Sequence, residues 1–265
     1  MNKKLSILNL CSVILAIAVS YVSQILEING NTVGSLSAEY ENLFTPAGYA
    51  FAIWGAIYLG LLAYSVFLVR VAFKNTKEVW IIEKTGPWFL LANLANSAWV
   101  FAWLFEITGL SVLIMILILF SLIKVILNTN MERWDAPLKI IAFPWWPVCL
   151  YSGWISVALI ANIAAYLTKI GWNVVYFNEL QWTMLMIVVA TVINIAMIYT
   201  RNMREFAAVG IWALVAIYFR HFDELPVLSY TALIGAVAIL SNITYHGWKN
   251  RKTNPIYRLM NKEKV

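Results

Sequence analysis

Apolar residues run along the chain in eight long blocks, separated by short polar or charged breaks. The blocks lie near 5–26, 47–69, 88–106, 109–128, 140–167, 180–200, 205–219 and 226–248. A bilayer-spanning helix needs ~20 predominantly apolar residues. The seventh block is the shortest. The pattern predicts an all-α fold: a polytopic membrane bundle of about eight transmembrane helices. Composition agrees, since the 265 residues are 62% hydrophobic and 12% charged. A soluble domain has about 45–50% apolar and about 25% charged residues.

Charge orders the blocks. With the N-terminus in the cytoplasm, every Lys and Arg falls on the inner side except Lys169 and Arg220, as the positive-inside rule requires. One helix more or fewer destroys that alternation. Eight spans with both termini cytoplasmic is therefore the expected topology, and the cell membrane of a bacterium the expected location. The net charge of +6 is then a set of topology determinants facing anionic lipid, and no nucleic-acid partner is expected. The first block has a basic start and small residues at Ala16, Ala18 and Ser20. It stays apolar to Leu26, so it reads as a retained helix and not as a cleaved leader. Cys11 and Cys149 sit inside apolar blocks and read as neither metal ligands nor a disulfide.

Polar and aromatic residues on the helix faces narrow the function. In the fifth block, Pro144-Trp145-Trp146-Pro147 leads into a helix on which Tyr151, Trp154, Ala158 and Asn162 share one narrow stripe. Lipid favours Leu, Ile, Val and Phe, so this face suits a neighbouring helix or a flat, mostly apolar ligand. The second block opens at Phe44-Thr45-Pro46, with Pro46 expected in the first helical turn. Trp54 and Tyr58 follow one turn apart, and Ala52, Ala56 and Gly60 form a small-residue stripe on roughly the opposite face. In the third block Asn93, Asn96, Trp99 and Trp103 share a face. The amides Asn93, Asn96 and Asn162 suit bonds to other helices at least as well as contact with a ligand. The fourth block is plain Leu, Ile and Val and reads as lipid-facing. The loop 27–45 lacks Lys and Arg, carries Glu27, Glu39 and Glu41, and reads either as a solvated connector or as a lid.

These spacings resemble the TspO/MBR family, the translocator or tryptophan-rich sensory proteins. Its fifth helix carries the Tyr, Trp, Ala and Asn spacing seen at Tyr151, Trp154, Ala158 and Asn162. Its second helix has a Pro eight residues before a Trp and a Tyr four after, as at Pro46, Trp54 and Tyr58. Its Leu-Asn-x-x-Trp signature is matched by Asn96 and Trp99. Thr45, Ala92 and Ala95 stand where the family has Pro, Gln and Leu. The resemblance covers roughly residues 5–167 and implies a five-helix core (1–170), with 171–248 an added three-helix extension and 249–265 a basic cytoplasmic tail. It also implies that the 27–45 loop covers a pocket for a tetrapyrrole, such as protoporphyrin or haem, or for a sterol-like lipid.

No ionisable residue sits at mid-membrane: Glu106, Lys124, His221 and His246 all lie near block ends. That weighs against a proton-coupled pump. His221 with Asp223 and Glu224 reads as a solvated turn before Pro226, in preference to an acid–base set. No phosphate loop, zinc spacing or nucleophile triad is present, so no catalytic or metal-binding residue is nominated. The chain holds thirteen Trp. Trp80, Trp134, Trp172 and Trp248 read as interfacial belt residues, whereas Trp54, Trp99, Trp103, Trp145, Trp146 and Trp154 cluster in three helices. The expected ligand site is Pro46, Trp54, Tyr58, Asn96, Trp99, Trp103, Tyr151, Trp154, Ala158 and Asn162. The first expectation is a sensory or translocator-like binder of a planar hydrophobic ligand, with bound porphyrin or haem as ligand and no cofactor required. The second is a permease for a lipophilic or uncharged solute. The third is an enzyme that degrades bound porphyrin under light. Membrane lipids and the hydrophobic ligand are the expected partners, with a homodimer through the small-residue stripe.

Overall fold

The computed structural model describes residues 2–40, 42–74, 76–172 and 177–251. Glu41 and residues 252–265, most of the expected basic tail, lie outside them. Among the described residues the elements are helical: α1 (Asn2–Leu26), α2 (Val33–Glu39), α3 (Ile53–Lys74), α4 (Trp80–Thr85), α5 (Trp88–Leu104), α6 (Thr108–Asn128), α7 (Leu138–Ile140), α8 (Trp146–Lys169), α9 (Glu179–Arg201), α10 (Arg204–His221) and α11 (Pro226–Lys249). The eight long ones fall on the eight apolar blocks. Asn2–Leu26, Gly48–Lys74, Thr108–Asn128, Leu138–Lys169, Glu179–Arg201 and Pro226–Lys249 are long and apolar enough to cross a membrane. α5 has 17 residues, and α10 has 18 with Arg204, Glu205 and Arg220 at its ends. The chain is a polytopic helical membrane bundle. Cytoplasmic placement of both termini rests on the charge pattern alone.

Five helices close into a ring. α1 packs on α3 and α5, α5 on α6, α6 on α8, and α8 on α3. α9, α10 and α11 pack on one another, and α10 docks this group onto α8. Without a hydrophobic drive between helices in lipid, close approach has to come from small residues and interlocking shapes. Gly210 is such a residue. A Cβ there would lie 2.6 Å from the side chain of Asn194 on α9. The small-residue stripe of α3 is divided: Ala52 and Ala56 are exposed, while Gly60 faces Pro147 of α8, 3.1 Å from where a Cβ would stand.

Two prolines shape the start of the fifth apolar block. Pro144 has no N–H for the helical ladder, and the chain passes it in a π turn, Ile141–Trp145, that joins α7 to α8. Pro147 falls in the first turn of α8, where no N–H is needed.

Pro46 departs from expectation. It lies in an irregular segment ahead of a 3-10 turn, Gly48–Ala52, and α3 begins only at Ile53. The cause is tertiary, because α10 holds the segment from the side. Ala47 N–H donates to the Ala216 carbonyl (3.2 Å), Arg220 Nη1 to Thr45 O (3.1 Å) and Trp212 Nε1 to Ala50 O (3.0 Å). His221 is not part of a solvated turn. It is buried, and its Nε2 lies 3.1 Å from the Leu43 carbonyl. The fourth apolar block, α6, is also more than lipid-facing. Leu113, Ile116 and Phe120 are exposed, but Ser111, Met115, Ile118 and Leu122 are buried against α5 and α8.

Candidate ligand-binding site

α3, α5, α6 and α8 leave a cavity at the end of the ring beneath α2. Pro46, Trp54, Trp99, Trp103, Trp154, Ala158 and Asn162 line it, as the sequence pattern expects. Phe51 and Met115 join them, with Val33 and Ser37 from α2 above. Tyr58, Asn96 and Tyr151 do not reach the cavity. They form the layer beneath it. Tyr58 stacks on Trp54 at 5.0 Å between ring centres, and Tyr151 meets Trp54 edge-on at 5.9 Å. Asn96 Nδ2 donates to the Tyr58 hydroxyl (3.2 Å), which also pairs with Ser20 Oγ of α1 (2.5 Å). This polar chain fixes the Tyr58 ring, and that ring sets the plane of Trp54.

The amides divide by role. Asn93 Nδ2 donates to Phe89 O within its own helix (2.8 Å). Asn162 Oδ1 accepts from Ser111 Oγ of α6 (3.0 Å), while Asn162 Nδ2 is buried without a partner. The indole N–H groups of Trp99 and Trp154 are likewise buried and unpartnered. Three lining residues of one apolar cavity therefore carry an N–H with no acceptor, and a buried donor left unmet costs about 1–3 kcal/mol.

Val33 and Ser37 of α2, with Thr45, border the cavity from above. α2 begins with a capping box in which Thr32 and Ser35 serve each other's backbone. Trp103 Nε1 donates to Val33 O (3.3 Å), and Asn29 Nδ2 to Leu104 O (3.0 Å). At the far end of α2 the Tyr40 hydroxyl donates to the Glu106 carboxylate. Lys169 Nζ donates to the Glu106 carbonyl (2.6 Å) and lies 3.5 Å from its carboxylate. This clamp joins the cover to the ends of α5 and α8. The enclosed volume is about 40 Å³, against roughly 300–1,000 Å³ for small-molecule pockets. The cavity is shut.

The hydrogen bond from Tyr40, with Lys169 beside it, holds the Glu106 carboxyl below its usual range against the opposing effect of burial. A group depressed in the folded state contributes above its ordinary value and loses that contribution as pH falls through the lowered one. The cover is thus fastened at neutral pH and released only in acid below the ordinary carboxylate range. Glu106→Gln should unfasten it at neutral pH, raising amide exchange across α2 about two- to fivefold, the scale of an exposed ion pair. Unchanged protection factors would remove Glu106 from the clamp.

Trp145 and Trp146 do not belong to this site. Trp145 packs edge-on against Trp134 (5.5 Å) at the opposite end of the ring, because α8 starts there and climbs 1.5 Å per residue toward the cavity. Both line a second cavity of about 670 Å³, together with Glu132, Arg204, Glu205 and His246. Burial, then the adjacent Glu205 carboxylate, push the Glu132 carboxyl up to about 8, with Arg204 pulling against them. Among the lining residues of the first cavity, Ala161 and Ala165 were legible, since they extend the Ala158 stripe by one and two turns. Met115 stands in a Leu and Ile run and carries no signal.

The family model described as TSPO-like protein matches residues 6–245. The match runs from α1 into α11, so the last three helices fall within the family pattern. No curated protein and no solved structure matches the chain. With a family match over nearly the whole chain and an apolar helical bundle to carry it, the protein belongs to the TSPO-like family and is a multi-pass membrane protein.

Proposed function

We propose that the protein binds a flat, largely apolar ligand with hydrogen-bond acceptors at its edge, in the cavity beneath α2. The observation behind this reading is the trio of unpartnered N–H groups on Trp99, Trp154 and Asn162 in an aromatic cavity. Aromatic faces offer stacking area, and acceptors on the ligand would meet the donors. Tetrapyrroles fit that description, with apolar macrocycles and carboxylate edges, and the TspO/MBR resemblance points the same way. A sterol-like lipid supplies fewer acceptors. The cavity is too small for such a ligand, so α2 would have to move as it enters, and the Tyr40–Glu106–Lys169 clamp would set the rate of entry more than the final affinity.

Titration of the detergent-purified protein with protoporphyrin, followed by Trp fluorescence and porphyrin absorbance, tests this. Quenching should saturate. Trp54→Ala should weaken binding about tenfold, the size of one lost aromatic contact. Trp248→Ala, at a residue 63% exposed and far along α11, should leave binding unchanged. Unsaturable quenching, or equal loss in both variants, would reject the site. A second reading, a permease for a lipophilic solute, draws on the second cavity at the other end of α8. Flux into proteoliposomes that is abolished by Trp54→Ala would favour it over a pure binder.

A further inference from the structure

The end of the bundle opposite the aromatic cavity brings together three groups that are far apart in sequence. Glu132 comes from the loop after α6, Cys149 from α8 and Glu205 from the first turn of α10. One carboxylate oxygen of each Glu and the Cys149 sulfur all lie within 4.8 Å of one another. Glu132 Oε1 and Glu205 Oε2 are buried without a hydrogen-bond partner. Cys149 is fully buried, with its Sγ 4.0 Å from the Met131 sulfur. His246 of α11, 7% exposed, lines the adjoining cavity with Glu132 and Glu205; its Nε2 lies 3.0 Å from Asn250 Nδ2, and its Nδ1 is buried without a partner.

We propose that Glu132, Cys149 and Glu205 form a binding site for a divalent transition-metal ion of the zinc class. One thiolate with two carboxylates is a borderline donor set, suited to zinc or cobalt and too soft for calcium or magnesium. Tetrahedral ligands at zinc distances stand about 3.5 Å apart, so the donors must close in by at most about 1.3 Å. The adjoining cavity, about 670 Å³, has room for water or the His246 ring as a fourth ligand. Arg201, whose Nη2 bonds the Ile126 and Met131 carbonyls at 3.3 Å, and Arg204 both stand near the three acidic donors, and the ion binds in their presence. On binding, the thiol and any protonated carboxyl release protons to solvent and become ligands, with no redox change. Such an ion would pin the α6–α8 loop and α8 to α10, joining the five-helix ring to the three-helix group. α8 carries Cys149 at one end of this path and Trp154, one to two turns on, at the other.

The test is a Co²⁺ titration of the full chain in detergent, reduced and chelator-treated, followed by Zn²⁺ displacement. A saturable thiolate-to-cobalt absorption, lost in Cys149→Ser and retained in Cys11→Ser, is the expected result. Cys11 is exposed on α1 and serves as the control thiol. Glu132→Gln and Glu205→Gln should each weaken Co²⁺ binding at least about tenfold. They decide the matter if Cys149→Ser fails to fold. Absence of the absorption in the native chain, its persistence without Cys149, or unchanged affinity in both Glu variants would overturn the site. Porphyrin binding is measured beside it, so failure here is distinct from failure of the ligand-site reading.

Discussion

Replacing Gly153 by Val should loosen the joint between the five-helix ring and the three-helix group, lowering the apparent Tm by about 5–10 °C. A Cβ at Gly153 would stand 2.9 Å from the Phe206 carbonyl oxygen, 3.3 Å from Phe206 Cα and 3.1 Å from Val209 Cβ. Two of those obstacles are backbone, so no rotamer change relieves them and α10 itself must move. Overpacking of this kind costs about 1–3 kcal/mol, and a backbone obstacle places it at the upper end. Gly153→Ala should fall between the native chain and Val. Gly55 is the control, because a Cβ there meets nothing within 4 Å and α3 gains helix propensity. Gly55→Ala should therefore raise the Tm slightly, by the ~0.5–1 kcal/mol that separates the two residues in a helix. A thermal melt of the solubilised protein reads all three variants. Equal Tm values for Gly153→Val and the native chain would mean that α8 and α10 do not meet as described.

The second large effect is expected at Trp154, where stability and binding separate. Trp154 is 2% exposed and meets Trp54 at 6.5 Å and Phe51 at 5.9 Å, both edge-on. Trp154→Ala removes an entire indole from between helices. In lipid the apolar transfer term is small, so the loss is chiefly of packing contacts. About 3 kcal/mol is expected, the lower end for a buried Trp. Trp154→Phe keeps a ring in place and loses the unpartnered N–H. It should keep most of the stability while weakening an acceptor-bearing ligand about tenfold, the cost of one hydrogen bond to a charged group. Thermal melts and protoporphyrin titrations on the same preparations separate the two. If Phe binds as tightly as Trp, the indole N–H is not a ligand contact, and the binding reading would rest on shape alone.

Much of the candidate site was legible because helical periodicity fixes which residues share a face. Trp54, Trp99, Trp154, Ala158 and Asn162 line one cavity for that reason. The same reasoning grouped Trp145 and Trp146 with them, since it sees three helices rich in Trp and not the height of each residue along its helix. Tyr58, Asn96 and Tyr151 lie one layer below, on the expected faces but sealed off by Trp54 and its neighbours. His221 and Pro46 were misread for a related reason. Both take their roles from contacts between residues 43–50 and α10, more than 160 positions apart in the chain, and no local pattern records such a partner.

Sequence alone determined the eight apolar blocks and the helices that form on them. In a bilayer the backbone must satisfy its own hydrogen bonds, so an apolar stretch of sufficient length leaves the helix as the one local solution. The order in which helices close the ring, the clamp of Tyr40, Glu106 and Lys169 over the cavity, and the meeting of Glu132, Cys149 and Glu205 belonged to the tertiary structure. Each depends on which faces find each other across long stretches of chain. That choice is made by shape and by a few polar contacts, which lipid-like composition leaves nearly unmarked.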